Sequence, residues 1–305
     1  MPTSDDRAAP GVSVDRAVAD PEHFAPICPN PVFVIGSPRS GTTVLARSLA
    51  KHSELWTSGE TYVLFHLFGA GLAERAFDRA MRIPGPRFLR REDVSREEFL
   101  ASVGIGINAL MTSRSEGLRW IDHTPHYTLI VDRLAEVFPG ASFIHILRDG
   151  REVVHSMLNF VRSIPYPEVA RFAEREGGWR TDFRTACEAW RDHVEAATTF
   201  CDEHTDRATV LRYEDLVAAP EERFQHLHRF LRIAEEEGPA SFLTSKRIGS
   251  SFRDRPRLSA DELWESWAEE RRRVFAELAG ATMLRCGYST PDELRSRSDA
   301  AHPLG

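Results

Sequence analysis

The sequence predicts an α/β protein, a three-layer α/β/α arrangement with a central, mainly parallel sheet. Two observations carry that prediction. Short apolar runs alternate with segments of helical periodicity along most of the chain. The first such run, Val32-Phe33-Val34-Ile35, opens into Gly36-Ser37-Pro38-Arg39-Ser40-Gly41-Thr42-Thr43 and then into a helical pattern at Val44, Leu45 and Leu49. Strand, glycine-rich turn and helix N-terminus together make a phosphate-binding loop. Backbone N–H groups and the positive end of the helix dipole converge there on one anion.

The elements follow in order. Residues 1–29, rich in Ala, Asp and Pro, read as a mobile tail, 30–290 as the folded domain and 291–305 as a second tail. A strand at 32–36 precedes a helix at 42–52, and a short strand at 55–57 ends at Ser58-Gly59-Glu60. Residues 61–115 are mixed and partly helical around the loop Ile83-Pro84-Gly85-Pro86. A strand at 118–122 runs into His123-Thr124-Pro125, where Thr124 suits a helix N-cap and Pro125 the first helical position. The helix that follows stops at Phe138-Pro139-Gly140. Next comes a strand at 143–147, then Arg148-Asp149-Gly150 and a helix carrying Val153, Val154, Met157 and Leu158. His145, inside that strand, is expected to be a hydrogen-bonded core histidine. After a break at 160–178, a long amphipathic helix covers about 179–204, with Trp179, Phe183, Trp190 and Val194 as core. A strand at 209–212, a helix at 220–231 and a helical stretch at 260–278 complete the pattern.

Composition narrows the function. The chain of 305 residues has 39 basic and 46 acidic side chains, a net charge of −7, which argues against a surface that coats nucleic acid. Cys28, Cys187, Cys201 and Cys286 lie far apart without metal-ligand spacing, so neither a metal site nor a disulfide framework is expected. The N-terminus lacks an apolar signal region, and no run approaches the ~18 apolar residues of a membrane span. A soluble, cytoplasmic protein without nucleic-acid or membrane partners is the expectation.

In an ATP-using phosphate loop, the residue after the second glycine is lysine. Here it is Thr42, and the loop's cation is Arg39. The loop suits an anion but lacks the equipment of an ATPase. A second candidate anion site is Arg148, a guanidinium at a strand end, with Ser156 two helical turns further on.

Together, FVIGSPRSGTT and HILRDGREVVHSM resemble the paired nucleotide motifs of sulfotransferases that use 3′-phosphoadenosine-5′-phosphosulfate (PAPS). The resemblance spans about residues 31–288 and is strongest to the branch with tyrosylprotein and carbohydrate sulfotransferases. It implies that Arg39, Ser40, Gly41, Thr42 and Thr43 grip the 5′-phosphosulfate, and that Arg148 and Ser156 grip the 3′-phosphate. Glu60, 21 residues after Arg39, falls where the family places a catalytic base. His123 stands where the family often has lysine, near the bridging oxygen. Its role stays open between leaving-group stabiliser, base and structural donor. Tyr213, in Arg212-Tyr213-Glu214-Asp215-Leu216, would help hold the nucleotide, and Ser251 and Arg257 would close on the 3′-phosphate.

The resemblance further implies PAPS as donor, the desulfated product PAP and no metal; the Phe, Tyr166 and Arg of the irregular insertions would suit a small-molecule, carbohydrate or phenolic hydroxyl as acceptor. Residues 61–115 and 160–185 would shape the acceptor pocket. A P-loop small-molecule kinase, with Thr43 on Mg2+, and a non-catalytic nucleotide-binding module are the alternatives.

Overall fold

The computed structural model describes residues 27–160, 182–245 and 258–289. The five strands are β1 (Val32–Ile35), β2 (Leu55–Thr57), β3 (Arg119–Asp122), β4 (Ser142–Leu147) and β5 (Ala208–Arg212). They form one sheet in the order β2-β3-β1-β4-β5, with every neighbouring pair parallel. Each strand falls within one residue of its sequence-based position at either end. Of the expected tails at 1–29 and 291–305, residues 1–26 and 291–305 lie outside the described residues, whereas Cys28 is buried, with its N–H bonded to Asn108 and Thr112.

The strands are apolar on both faces because helices cover both. Val32 and Val34 pack with Leu45, Leu49, Phe224 and Leu227 on one side. Phe33 and Ile35 pack with Tyr127, Leu134, Phe143 and Phe200 on the other. The first layer holds α1 (Thr42–Leu49), with α8 (Tyr213–Ala218), α9 (Pro220–Leu231) and α10 (Gly238–Ser245). The second holds α2 (Leu72–Arg82), α4 (Arg96–Arg114) and α5 (Val131–Val137), with the short α3 (Phe88–Arg91) between α2 and α4 in the chain. A third cluster gathers α6 (Gly150–Phe160), α7 (Phe183–Glu203), α11 (Ala260–Ser266) and α12 (Glu269–Arg285) around Trp190, Trp267 and Phe275.

Several expectations are corrected. The segment after Pro125 begins as a 3-10 helix, Pro125–Ile130, before turning α-helical as α5. Thr124 does not cap it with its side chain, because the Thr124 hydroxyl is taken by Asp122 and by the Thr61 N–H. The helical stretch at 260–278 is two helices, parted at the buried Trp267. Trp190 and Val194 are core as expected, whereas Trp179 lies outside the described residues. His145 is fully buried, yet neither of its ring nitrogens bonds to a described residue. In sheet register it stands between Ile35 and Val210, which offer its ring no acceptor.

Buried histidines make the fold acid-sensitive. Burial pushes His123 down to about 4, His145 to about 3 and His193 to about 4, so all stay neutral in the fold. In the unfolded chain each protonates below about 6.5. Unfolding therefore takes up protons, and the stability present above pH 6.5 is lost as pH falls through that window towards 4. Asp122 acts in the opposite sense, its carboxyl raised by burial to about 6, but the histidines outnumber it. Urea midpoints are expected to fall between pH 6.5 and 4.5, and His145→Leu to flatten that slope. A slope unchanged by His145→Leu would contradict this account.

Candidate active site

The phosphate loop leaves β1 at Gly36, whose φ of 147° falls in the region that favours glycine. A Cβ there would stand 2.5 Å from the Ile146 carbonyl oxygen of β4, so the residue has no space for a side chain. The Thr128 hydroxyl holds this glycine, accepting its N–H at 2.8 Å and donating to its carbonyl at 3.1 Å. Arg39 sits at φ 71°, an uncommon conformation for a non-glycine residue. Ser40 donates both its N–H (3.1 Å) and its hydroxyl (2.6 Å) to the Ser37 carbonyl. As placed, Ser40 shapes the loop rather than offering a donor to a ligand. Gly41, at φ 110°, is the N-cap of α1, and Thr42 and Thr43 form its first turn.

A second set of groups meets this loop from the end of β4. Arg148 Nη1 donates to the Arg39 carbonyl at 3.2 Å. Its Nε donates to Glu152 at 2.9 Å, and Nη2 pairs with the same carboxylate, in the first turn of α6, as an i,i+4 ion pair. The guanidinium lies 4.4 Å from the Tyr213 ring centroid. Tyr213 also closes on the loop, since a Cβ on Gly41 would stand 2.7 Å from its ring. Arg39 Nε donates to Ser156 at 3.3 Å and its guanidinium lies over Phe160 at 4.3 Å. Arg39, Gly41, Arg148, Ser156 and Tyr213 are thus brought together.

Glu60 and His123 lie at the ends of neighbouring strands β2 and β3. Glu60 is exposed on a turn that bends at Gly59 (φ 114°) and Tyr62 (φ 58°). The next residue pins that turn. Thr61 donates its N–H to Thr124 Oγ1 at 3.0 Å and its hydroxyl to Asp122 at 2.7 Å, and lies 2.7 Å from the Tyr127 hydroxyl. The Asp122 carboxylate further accepts the N–H and hydroxyl of Thr124 at 2.9 and 2.8 Å. Asp122, Thr124 and Thr61 therefore weld the Glu60 turn to the segment carrying His123. His123 is only 2 % exposed, and neither ring nitrogen bonds to a described residue. Burial, with the Arg47 charge adding to it, keeps the ring neutral near pH 7.

Ser251 and Arg257 lie outside the described residues. Thr61, Thr128 and Glu152 were not singled out from sequence. Only Glu152 gave a signal, its i,i+4 spacing from Arg148. Among the described residues no group of three or more His, Cys, Asp or Glu could hold a metal ion, and no helix is long and apolar enough to cross a membrane.

A glycine-bearing anion loop and an arginine fork on adjacent parallel strands define a P-loop α/β protein built for a multiply charged ligand. A model described as the Sulfotransferase family matches residues 31–237, and the chain belongs to that family. It is 28% identical over 204 residues to protein-tyrosine sulfotransferase 1 of Danio rerio, covering 66% of this chain and 53% of that protein. It is 29% identical over 206 residues to nodulation protein NoeE of Sinorhizobium fredii, covering 64% of this chain and 48% of that protein. The chain thus spans about half the length of these relatives. In fold it is similar to the sulfotransferase domain of the Synechococcus PCC 7002 olefin synthase (TM-score 0.51, 22% identity, 86% of this chain and 97% of that one). The sulfotransferase domain from the curacin biosynthetic pathway is also similar in fold (TM-score 0.52, 18% identity, 87% of this chain and 100% of that one).

The Thr61 weld is open to direct measurement. Thr61→Val removes the hydroxyl that Asp122 and Tyr127 share, and is expected to destabilise the fold by about 1–3 kcal/mol. The Asp122 carboxyl, already raised to about 6, is expected to rise further without that donor, and Thr61→Ser to restore both properties. Denaturant titration reads the first effect and carboxyl NMR the second. Unchanged stability together with an unmoved Asp122 titration would refute the role.

Proposed function

We propose that residues 30–290 form a catalytic unit that moves the sulfuryl group of PAPS to an acceptor hydroxyl by in-line displacement. One observation carries the proposal: two arginine sites meet across neighbouring loops, with Arg148 Nη1 on the Arg39 carbonyl at 3.2 Å and Arg39 Nε on Ser156 at 3.3 Å. A donor with one phosphate group at each end of its ribose suits such a pair. Thr42 stands where an ATP-using loop has lysine, which disfavours phosphoryl transfer from ATP.

In this assignment the loop N–H groups and Arg39 hold the 5′-phosphosulfate, and Arg148 with Ser156 holds the 3′-phosphate. Glu60 takes the acceptor's proton while the acceptor oxygen bonds to sulfur and the bridging S–O bond breaks. His123 donates an N–H to the bridging oxygen as it gains charge. Burial weakens the ring as a base, holding it near 4, but does not remove its N–H. The base role therefore falls to Glu60. The acceptor is a small-molecule, carbohydrate or phenolic hydroxyl. Relatives named for tyrosine sulfation make a phenol the first acceptor to try.

Thermal unfolding with added nucleotide tests the donor. PAP is expected to raise the melting temperature and ATP–Mg2+ to leave it unchanged; the reverse pattern would exclude the proposal. Arg148→Ala is expected to weaken PAP far more than adenosine 5′-phosphosulfate, which lacks the 3′-phosphate. With labelled PAPS and a panel of phenols and glycosides, Glu60→Gln is expected to lower turnover by about 100-fold or more while PAP still binds. Full turnover in Glu60→Gln, with none in His123→Ala, would move the base role to His123.

A further inference from the structure

The peptide joining Arg148 to Asp149 falls between β4, which ends at Leu147, and α6, which begins at Gly150. Its polar atoms therefore need partners from elsewhere. Both partners are side chains remote in sequence. The Arg148 carbonyl accepts from Trp190 Nε1 at 3.1 Å, and the Asp149 N–H donates to Glu214 Oε1 at 3.1 Å. Glu214 is itself oriented, because its second oxygen accepts the Tyr288 hydroxyl at 2.8 Å.

Tyr288 reaches this point through a turn at Gly287 (φ 69°) just after α12. Its ring lies 4.1 Å from the Arg212 guanidinium, and its carbonyl accepts from Arg151 at 3.4 Å. Arg151 pairs in turn with Asp149 at 2.8 Å and Asp261 at 2.9 Å. Burial and the Glu214 charge raise the Tyr288 hydroxyl well above its ordinary range, so it stays a donor. Both Glu214 oxygens are occupied, which turns its charge towards Asp149 and Tyr288.

We infer that Glu214 and Tyr288 are positioning residues for 3′-phosphate recognition, fixing through the Asp149 N–H the direction in which Arg148 leaves β4. The inference rests on the proposed role of Arg148. A small rotation of this peptide swings the guanidinium through the whole length of its side chain, and a phosphate fork tolerates little of that. Glu214 and Tyr288 touch no phosphate themselves; they act through the backbone.

Calorimetric titration of the full chain with PAP and with adenosine 5′-phosphosulfate tests this. Glu214→Ala is expected to lower PAP affinity about tenfold more than that of adenosine 5′-phosphosulfate, the scale of one hydrogen bond to a charged group. Tyr288→Phe is expected to shift the same ratio roughly threefold, as a neutral hydrogen bond would. Glu214→Gln keeps an oxygen for the Asp149 N–H and an amide for the Tyr288 hydroxyl, so most of the selectivity should return. In the Arg148→Ala background, Glu214→Ala should change the ratio no further. A purely structural role predicts equal losses for both nucleotides. Equal losses in Glu214→Ala and Tyr288→Phe, with Arg148→Ala still selective against PAP, would overturn this inference alone. Equal losses in Arg148→Ala would overturn the proposed role of Arg148, and this inference with it. Should Glu214→Ala not fold, Tyr288→Phe decides on the same ratio.

Discussion

Gly36 leaves β1 so close to β4 that a single added carbon would meet the Ile146 carbonyl oxygen at 2.5 Å. That contact ties the two chemically loaded loops to one another. β1 and β4 are in parallel register, with Ile35 opposite His145, so the phosphate loop and Arg148 emerge at nearly the same height. The strand order gives this pair its importance. The chain leaves β1 towards β2 and β3 on one side and leaves β4 towards β5 on the other. The loops diverge there, opening the crevice in which parallel sheets bind ligands. Glu60 and His123 follow β2 and β3, the two strands on the β1 side of that crevice.

Charge within the crevice is partly balanced before any anion arrives. Arg148 and Glu152 are 14% and 13% exposed as side chains, an ion pair largely removed from water. The pair holds Nε and Nη2, and the Arg39 carbonyl holds Nη1, so among the described residues three of the five guanidinium N–H donors are engaged. The remaining two belong to the terminal nitrogens, the part of the fork that grips a phosphate. Under the proposed assignment Glu152 orients the guanidinium for the phosphate, and as an ion-pair partner it limits the desolvation cost of an otherwise unpaired buried guanidinium.

How much of this was legible in the sequence depends on whether local pattern or tertiary approach decided it. The strands were legible because each is a short apolar run with a breaker after it. The phosphate loop was legible because its glycines answer to backbone geometry, and Arg148 because it ends a strand. Helix α4 was not, since its buried positions include Gly104, Asn108 and Thr112 while Ile105 and Leu110 are exposed. Asn108 and Thr112 are inward because both accept the Cys28 N–H at 3.0 Å, a contact 80 or more residues apart. The hydroxyls of Thr61, Thr124 and Thr128 were illegible for the same reason. A threonine's choice between capping a helix and bridging two loops is made by whichever backbone group comes nearest in the fold. His145 failed differently: sheet pairing supplies backbone partners, not side-chain ones, and the strand puts its ring among apolar neighbours.

The substitution at His123 follows from the same packing. A lysine ammonium at a position this buried would need an anion beside it at all times to offset its desolvation. The carboxylate beside it in sequence, Asp122, already gives its oxygens to Thr61 and Thr124. It is therefore a poor counter-ion. A neutral imidazole has no such requirement and still presents one N–H. Under the proposed assignment, charge at the bridging oxygen is met mainly by Arg39 and the loop amides, while His123 contributes direction. The chain thus exchanges a cation at this point for a donor that its weld of threonines can shelter, and the positive charge is concentrated on the two arginines that the β1–β4 contact brings together.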